Sequence, residues 1–309
     1  MIDASPYTLR TPDGVNLACR RWDPEGDPVG VVQIAHGLAE HCARYQRFAS
    51  FLAERGWLVI AHDHRGHGST AQSDAELGHF ADDDGWSRAV EDVASVLHDA
   101  WQAKTGVPVV LFGHSMGSSI ALSALARYPG LVDAAVLSGP TGVVGPLRRI
   151  GLVLTRLERL RLGRRGRSAL LHKLSFDGFN KAFEPARTPF DWLSRDPTEV
   201  DAYVADPKCG FVVTTQHWHD HLVALGDNAR VEHLARIPKA LPIRIFAGRM
   251  DPVSKGGKQL DTLLDRMKAA GLTRADAVFY EDGRHELLND INRDAVTEDI
   301  HSFLEAQRG

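Results

Sequence analysis

The residues best equipped for chemistry in this 309-residue chain are Gly113-His114-Ser115-Met116-Gly117, directly after the apolar run 107–112 and directly before a helical pattern. A serine in that setting stands on a sharp strand-to-helix turn. The turn demands small residues two positions before and after it, which Gly113 and Gly117 supply. The hydroxyl is then presented at a helix N-terminus, where partial positive charge favours a developing oxyanion. A serine hydroxyl is a weak nucleophile near neutral pH. It needs an adjacent base, and the base needs a group to orient it. The chemistry this spacing points to is acyl transfer.

Seven histidines follow Ser115, and His285 alone lies in a short turn after a late apolar run, 277–280. Asp251 follows the apolar run 243–247 through Gly248-Arg249-Met250. The order serine, acid, histidine is the one such elbows use, with the acid steadying the imidazole and its charged form. Asp251 as a turn residue and His285 as a surface histidine are the plainer alternatives. An oxyanion also needs two backbone N–H groups. Met116, just after the nucleophile, provides one. Leu38, in the loop His36-Gly37-Leu38-Ala39-Glu40-His41 after the run 31–35, is the candidate for the other, because Gly37 lets the chain turn there. His36, Gly37, Glu40, Gly113, His114 and Gly117 are the expected supporting residues. This chemistry calls for no cofactor.

Short apolar runs must position these residues. Runs at 29–35, 57–61, 107–112, 134–137, 243–247 and 277–280 lack period-two alternation and read as buried strands covered on both faces. Segments 7–10 and 15–22 alternate more and are joined by Pro12-Asp13-Gly14, which predicts a hairpin. Helical patterns lie between the runs. Trp86, Val90, Val93, Leu97 and Trp101 mark one apolar face, the stretch 44–55 stops at Gly56, and 118–128 stops at Pro129-Gly130. Such alternation predicts a mostly parallel, doubly wound sheet with its site at the strands' carboxyl ends. The alternation lapses between about 139 and 241, too long for a plain loop, so 140–240 is expected to be an inserted helical cap between core segments 1–139 and 241–309.

Composition narrows the function. The chain is 43% hydrophobic and 25% charged with net charge −4, which argues against a nucleic-acid partner. Cys19, Cys42 and Cys209 are odd in number and far apart, which fits buried thiols in a reducing compartment. The first ten residues hold no apolar run and no segment approaches a membrane span, so a cytoplasmic location is expected. The histidine-rich stretches 62–67 and 217–221 suggest metal only faintly, and no metal site is expected. Between Arg148 and Lys173 there are nine Lys/Arg and one acid, Glu158, interleaved with Ile150, Val153, Leu154, Leu157, Leu160 and Leu162. This reads either as a basic amphipathic helix for an anionic membrane surface or as a solvated face whose leucines cover a channel.

The motifs His36-Gly37-Leu38-Ala39-Glu40-His41, Asp63-His64-Arg65-Gly66-His67-Gly68-Ser69, Gly113-His114-Ser115-Met116-Gly117, Gly248-Arg249-Met250-Asp251-Pro252-Val253 and Gly283-Arg284-His285-Glu286 together resemble the monoacylglycerol lipase and lysophospholipase family. The resemblance implies an α/β-hydrolase fold with an eight-stranded sheet and a mobile helical cap over a hydrophobic acyl channel. It implies hydrolysis of single-chain acyl esters such as monoacylglycerols or lysophospholipids by Ser115, His285 and Asp251, with Leu38 and Met116 forming the oxyanion hole. The family often carries glycine where this chain has Ala39, so the loop is expected to sit slightly differently. A proline-iminopeptidase-like aminopeptidase, with Glu184, Asp191, Asp196, Glu199, Asp201 or Asp206 holding the substrate amine, is the rival within the fold. A non-catalytic ligand-binding member is the rival outside enzymology.

Overall fold

The computed structural model describes residues 1–103 and 106–308. The side chains of residues 101–103 are outside that description, and with them Trp101, the last member of the predicted apolar face.

β1 (Ser5–Arg10) and β2 (Asn16–Trp22) form the expected antiparallel hairpin. They are followed by β3 (Gly30–Ala35), β4 (Trp57–His62), β5 (Val109–His114), β6 (Ala134–Ser138), β7 (Ile243–Gly248) and β8 (Ala275–Tyr280). The eight strands make one sheet in the order β1-β2-β4-β3-β5-β6-β7-β8. β2 meets β4 antiparallel, and β3 to β8 run parallel. α1 (Gln46–Ala53), α2 (Gly85–Ala103) and α3 (Met116–Arg127) connect the early strands. α4 (Leu147–Leu162), α5 (Ala169–Phe176), α6 (Pro197–Ala205), α7 (Thr215–Asn228) and α8 (Val231–Leu234) all lie between β6 and β7. α9 (Lys258–Ala269) and α10 (Arg293–Glu305) follow β7 and β8.

The uninterrupted apolar strands follow from a sheet covered twice. On β5, Val109 and Leu111 join a core with Val90, Val93 and Leu97 of α2 and Leu260 and Leu263 of α9. Their neighbours Val110 and Phe112 join the opposite core with Phe48 and Leu52 of α1 and Ile300 and Phe303 of α10. Alternate side chains thus enter different cores, so both parities must be apolar.

Three expectations need correction. β5 begins two residues late, because Pro108 has no N–H for the ladder, and it extends through Gly113 and His114, so the strand runs straight into the turn at Ser115. The helix expected over 44–55 opens with a 3₁₀ turn, Cys42–Tyr45, and ends at Ala53. Gly56 then reverses the chain at φ 89°. β8 is half-buried rather than buried, because it is an edge strand paired with β7 alone. The three cysteines are free and buried, as expected. Among the described residues no helix is long and apolar enough to cross a membrane.

A belt of buried imidazoles joins the sheet to α7. His36 packs at 4.2 Å from His64, which lies 4.8 Å from His62. His67 is 5.9 Å from His217, which sits 4.4 Å from Phe80, and His221 stacks on Trp86. Among the described residues, neither histidine-rich stretch brings three candidate ligand atoms within 4.8 Å of one another. Among the described residues, the one group of at least three His, Cys, Asp or Glu with ligand atoms within 4.8 Å of one another is His41, Asp206 and Cys209.

Burial makes protonation of the belt costly. It pushes His62, His67 and His221 down to about 4 and holds His36, His64 and His217 well below their ordinary value. An unfolded chain protonates these rings near their ordinary value, while the folded one refuses the protons until far lower pH. Their stabilising contribution is therefore present above about pH 6.5 and lost as pH falls toward about 4. The melting temperature is expected to decline steadily as pH is lowered from 7 to 4.5. A melting temperature flat across that interval contradicts the account.

Candidate active site

Ser115 sits between β5 and α3 with φ 51° and ψ −115°, a backbone conformation rarely taken by a side-chain-bearing residue. Its amide donates to Ser138 O at 2.9 Å, and the Ser118 hydroxyl donates to Gly113 O at 2.7 Å, so neighbours on both sides hold the turn. The flanking glycines are sterically required. A Cβ on Gly117 would lie 2.0 Å from Ala35 O, and one on Gly113 would lie 2.5 Å from Gly117 O.

The imidazole of His285 reaches this serine, with Nε2 2.9 Å from Ser115 Oγ. Its Nδ1 lies 3.1 Å from Asp251 Oδ2, while Asp251 Oδ1 accepts the Val253 N–H at 2.9 Å. The loops after β7 and β8 carry this pair and touch backbone to backbone: a Cβ on Gly248 would lie 1.9 Å from Gly283 O. Asp251 and His285 are 1% and 2% exposed. Burial by itself would push the imidazole down, but the Asp251 carboxylate, helped by Glu286 and Glu40, outweighs it and raises His285 above its ordinary value.

The loop after β3 is held so that one amide stays free. Glu40 Oε1 accepts the Gly37 N–H at 2.5 Å. The His64 N–H donates to His36 Nε2 at 3.0 Å, which leaves the proton of His36 on Nδ1, where it donates to Gly37 O at 2.8 Å. Both backbone groups of Gly37 are thereby used. Among the described residues the N–H groups of Leu38 and Met116 have no protein acceptor. Ala39 takes φ 53°, so the alanine adopts the left-handed conformation for which glycine is the usual residue. Its carbonyl accepts the Gly210 N–H and the Tyr203 hydroxyl, both at 2.9 Å.

Sequence reasoning missed the buried ion cluster behind this loop. Arg44 donates to Glu40 Oε2 at 2.6 Å and to both oxygens of Glu286 at 2.7 Å, and Tyr45 OH donates to Glu40 Oε1 at 2.9 Å. Burial alone would raise the Glu286 carboxyl, but the guanidinium holds it down at about 2. No local pattern announces a pair 242 positions apart. His114, whose role was expected to be support, packs 4.9 Å from the His285 ring.

Ser115, His285 and His114 open onto a cavity of about 320 Å³ whose walls include Leu38, Phe176, Phe179, Trp192, Trp218 and Leu225. The walls come largely from the segment between β6 and β7. The basic stretch behaves differently from a channel cover. On α4, Ile150, Val153, Leu157 and Leu160 point outward, Leu160 being 85% exposed, while Leu154 packs against Leu171 and Trp218. Its positive charge is also partly spent. Arg164 and Arg165 pair with Asp83 and Asp82, and Arg167 donates to the carbonyls of Asp74, Ala75, Leu77 and Val212.

A family described as serine aminopeptidase, S33, matches residues 26–292. The chain is 31% identical over 300 residues to a monoacylglycerol lipase of Mycolicibacterium smegmatis, covering 97% of this chain and 96% of that one. It is 34% identical over 195 residues to human monoglyceride lipase, covering 63% of this chain and 57% of the human one. Among solved structures, a thermostable carboxyl esterase from Bacillus coagulans in complex with glycerol superposes with TM-score 0.91 at 26% identity over the full length of both chains. A soluble variant of the Saccharomyces cerevisiae monoglyceride lipase, at 17% identity and TM-score 0.75, shares the fold over 99% of this chain and 97% of that one. The sheet and its helices are those of the α/β-hydrolase fold.

Two outcomes are expected from this geometry. With His285 as the base for Ser115, kcat/KM for a soluble ester should fall on the acid side along a limb whose midpoint lies above 6.5. A midpoint below 6.5 would contradict the dominance of Asp251 over burial. Ala39→Gly should stabilise the fold by about 0.5–1 kcal/mol in urea unfolding, because relief of the left-handed alanine exceeds the added chain entropy of glycine. A loss of stability would show that the loop holds Ala39 without strain.

Proposed function

Since the chain belongs to the serine aminopeptidase S33 family and is a hydrolase of the monoacylglycerol-lipase-like kind, we propose that it cleaves carboxylic esters bearing one acyl chain, such as monoacylglycerols or lysophospholipids, through an acyl-enzyme. The carrying observation is the hydrogen-bonded series Asp251–His285–Ser115 at the base of a cavity with largely apolar walls. Ser115 Oγ attacks the ester carbonyl while His285 Nε2 takes its proton, and Asp251 steadies the imidazolium. The N–H groups of Leu38 and Met116 receive the oxyanion, each such donor contributing about 3–4 kcal/mol in enzymes where one has been removed. His285 returns the proton to the departing alcohol. It then activates a water that releases the fatty acid and restores the serine. Residues 140–240 act as the cap that shields this chemistry from bulk water.

The aminopeptidase alternative needs a free carboxylate facing the substrate amine. The six acids weighed for that role lie away from the cavity lining. Asp191 accepts from Arg187 and Thr188, Asp196 pairs with Arg293, Glu199 with Arg47, Asp201 with Arg187 and Asp206 with His41, while Glu184 is exposed. The acids that do line the cavity, Glu40 and Glu286, are both committed to Arg44. Apolar walls and spent carboxylates favour an acyl chain.

The outward stripe of α4 supports contact with an anionic lipid surface, since Ile150, Val153, Leu157 and Leu160 alternate with Arg149, Arg156 and Arg159. Leu147 at the start of the same helix lines the cavity, so substrate could pass from such a surface to Ser115 without crossing water. A cytoplasmic location fits the three free thiols.

Hydrolysis of p-nitrophenyl acyl esters should be readily measured and that of proline p-nitroanilide absent. Ser115→Ala should lower kcat by about 10⁵–10⁶-fold without unfolding the protein. Faster cleavage of the anilide, or turnover surviving in Ser115→Ala, sinks the reading. The double variant Ile150→Glu, Leu157→Glu should lose co-sedimentation with anionic vesicles while retaining turnover of a short-chain soluble ester. Vesicle binding equal to that of the unaltered protein removes the membrane part of the proposal.

A further inference from the structure

His41, Asp206 and Cys209 come together beside the oxyanion loop although the first lies 165 positions from the second. His41 Nε2 is 2.8 Å from Asp206 Oδ2, and the candidate ligand atoms of all three residues lie within 4.8 Å of one another. We propose that this trio is a binding site for Zn²⁺, distinct from the catalytic apparatus, that staples the loop carrying Leu38 to the turn at residues 206–209. The inference goes beyond the esterase reading and does not depend on it.

The turn has the build of a metal knuckle. Asp206-Pro207-Lys208-Cys209 spaces two ligand side chains as in the Cys-x-x-Cys turns of zinc sites, with a carboxylate at the first position. The Cys209 N–H donates to Asp206 O at 3.0 Å, and the Lys208 N–H donates to Asp206 Oδ1 at 2.8 Å. These bonds aim the other carboxylate oxygen at His41. The Lys208 ammonium, which would repel a cation, is instead bonded to Ser69 Oγ at 2.9 Å. Zinc takes imidazole nitrogen and carboxylate oxygen at about 2.0–2.2 Å and thiolate sulfur at about 2.3 Å. Tetrahedral ligands at those lengths stand roughly 3.3 Å apart, so His41 and Asp206 need to separate by about 0.5 Å to admit the ion. A mixed thiolate, imidazole and carboxylate set suits zinc better than magnesium or calcium, which prefer oxygen throughout. Water completes the fourth position.

Asp206 is the carboxylate left to face an ion here, because Glu40 and Glu286 nearby are paired with the Arg44 guanidinium. Binding forms a zinc–sulfur bond, breaks the Cys209 S–H bond and sends that proton to solvent. Because the thiol proton is exchanged for the ion, affinity should rise with pH. The site also lies where a rigid link matters. His41 is two residues beyond Ala39, whose carbonyl already accepts from Gly210 and Tyr203 on the partner segment. A third tie, His41 to Asp206, already crosses this junction, and a bound ion would replace that hydrogen bond with coordination bonds that also engage Cys209.

The test uses the full-length protein stripped with a chelator and titrated with Zn²⁺ against a chromophoric zinc indicator. It is run on the unaltered chain and on Ser115→Ala, so that the outcome is separate from any fault in the esterase reading. One ion per chain, a higher melting temperature with zinc, and proton release that grows with binding are expected. Cys209→Ser and His41→Ala should lose saturable binding, while Cys19→Ser and Cys42→Ser should keep it. Co²⁺ on the unaltered protein should give a thiolate-to-metal charge-transfer band, a readout that needs no variant to fold. Absence of that band, absence of stoichiometric zinc binding by the unaltered chain, or an unchanged titration in Cys209→Ser overturns the proposal.

Discussion

The backbone at Ser115 is the constraint on which the rest of the molecule depends. Its φ of 51° with ψ −115° belongs to a sparsely populated region and costs on the order of 1–3 kcal/mol. The strain persists because β5 enters the turn as the inner strand of a rigid sheet and α3 leaves it packed against that sheet. The reward is geometric. The hydroxyl is lifted clear of its own backbone, and the Met116 N–H is left unused at the start of a helix. Gly113 and Gly117 are the only residue type that fits the two close approaches.

Around that turn, charge is arranged in two layers. The inner layer is Asp251 beneath His285, which overrides the cost of burial and lets the ring carry charge. The outer layer is Glu40, Arg44 and Glu286. Taken singly, each would be an expensive buried ion. Together they satisfy one another, and Glu40 has a lone pair left for the Gly37 amide. This cluster fixes the loop that offers the Leu38 N–H and abuts the loop that carries His285. The two halves of the site, separated by most of the chain, therefore share a single buried cation.

The segment between β6 and β7 lines the site with aromatic and aliphatic walls, and two dissimilar contacts stand out among those that join it to the core. One is the imidazole belt on α7, whose rings are kept neutral by burial and pack as aromatic spacers against Phe80 and Trp86. The other is the junction at Ala39, where a left-handed alanine turns its carbonyl toward Tyr203 and Gly210. The first contact is sensitive to acid, the second to backbone strain.

The fold and the strained turn at Ser115 were legible from sequence because both are written in local patterns. Period and turn residues marked each strand, with errors confined to ends such as Pro108 and to the edge exposure of β8, which depends on having a neighbour on one side only. Ser115 was singled out by two glycines and a strand, and Asp251 and His285 by their places after late strands, and the folded chain brings the three within hydrogen-bonding distance. Tertiary structure alone decided which groups share a space. The coupling of Arg44 to Glu286, the burial of six neutral histidines, the outward turn of the α4 leucines, and the meeting of His41 with Asp206 and Cys209 all join residues whose separation along the chain carries no periodic signal. Sequence order records spacing within an element. Pairing across elements is set by how the twisted sheet and its helices pack, and only the folded molecule contains that information.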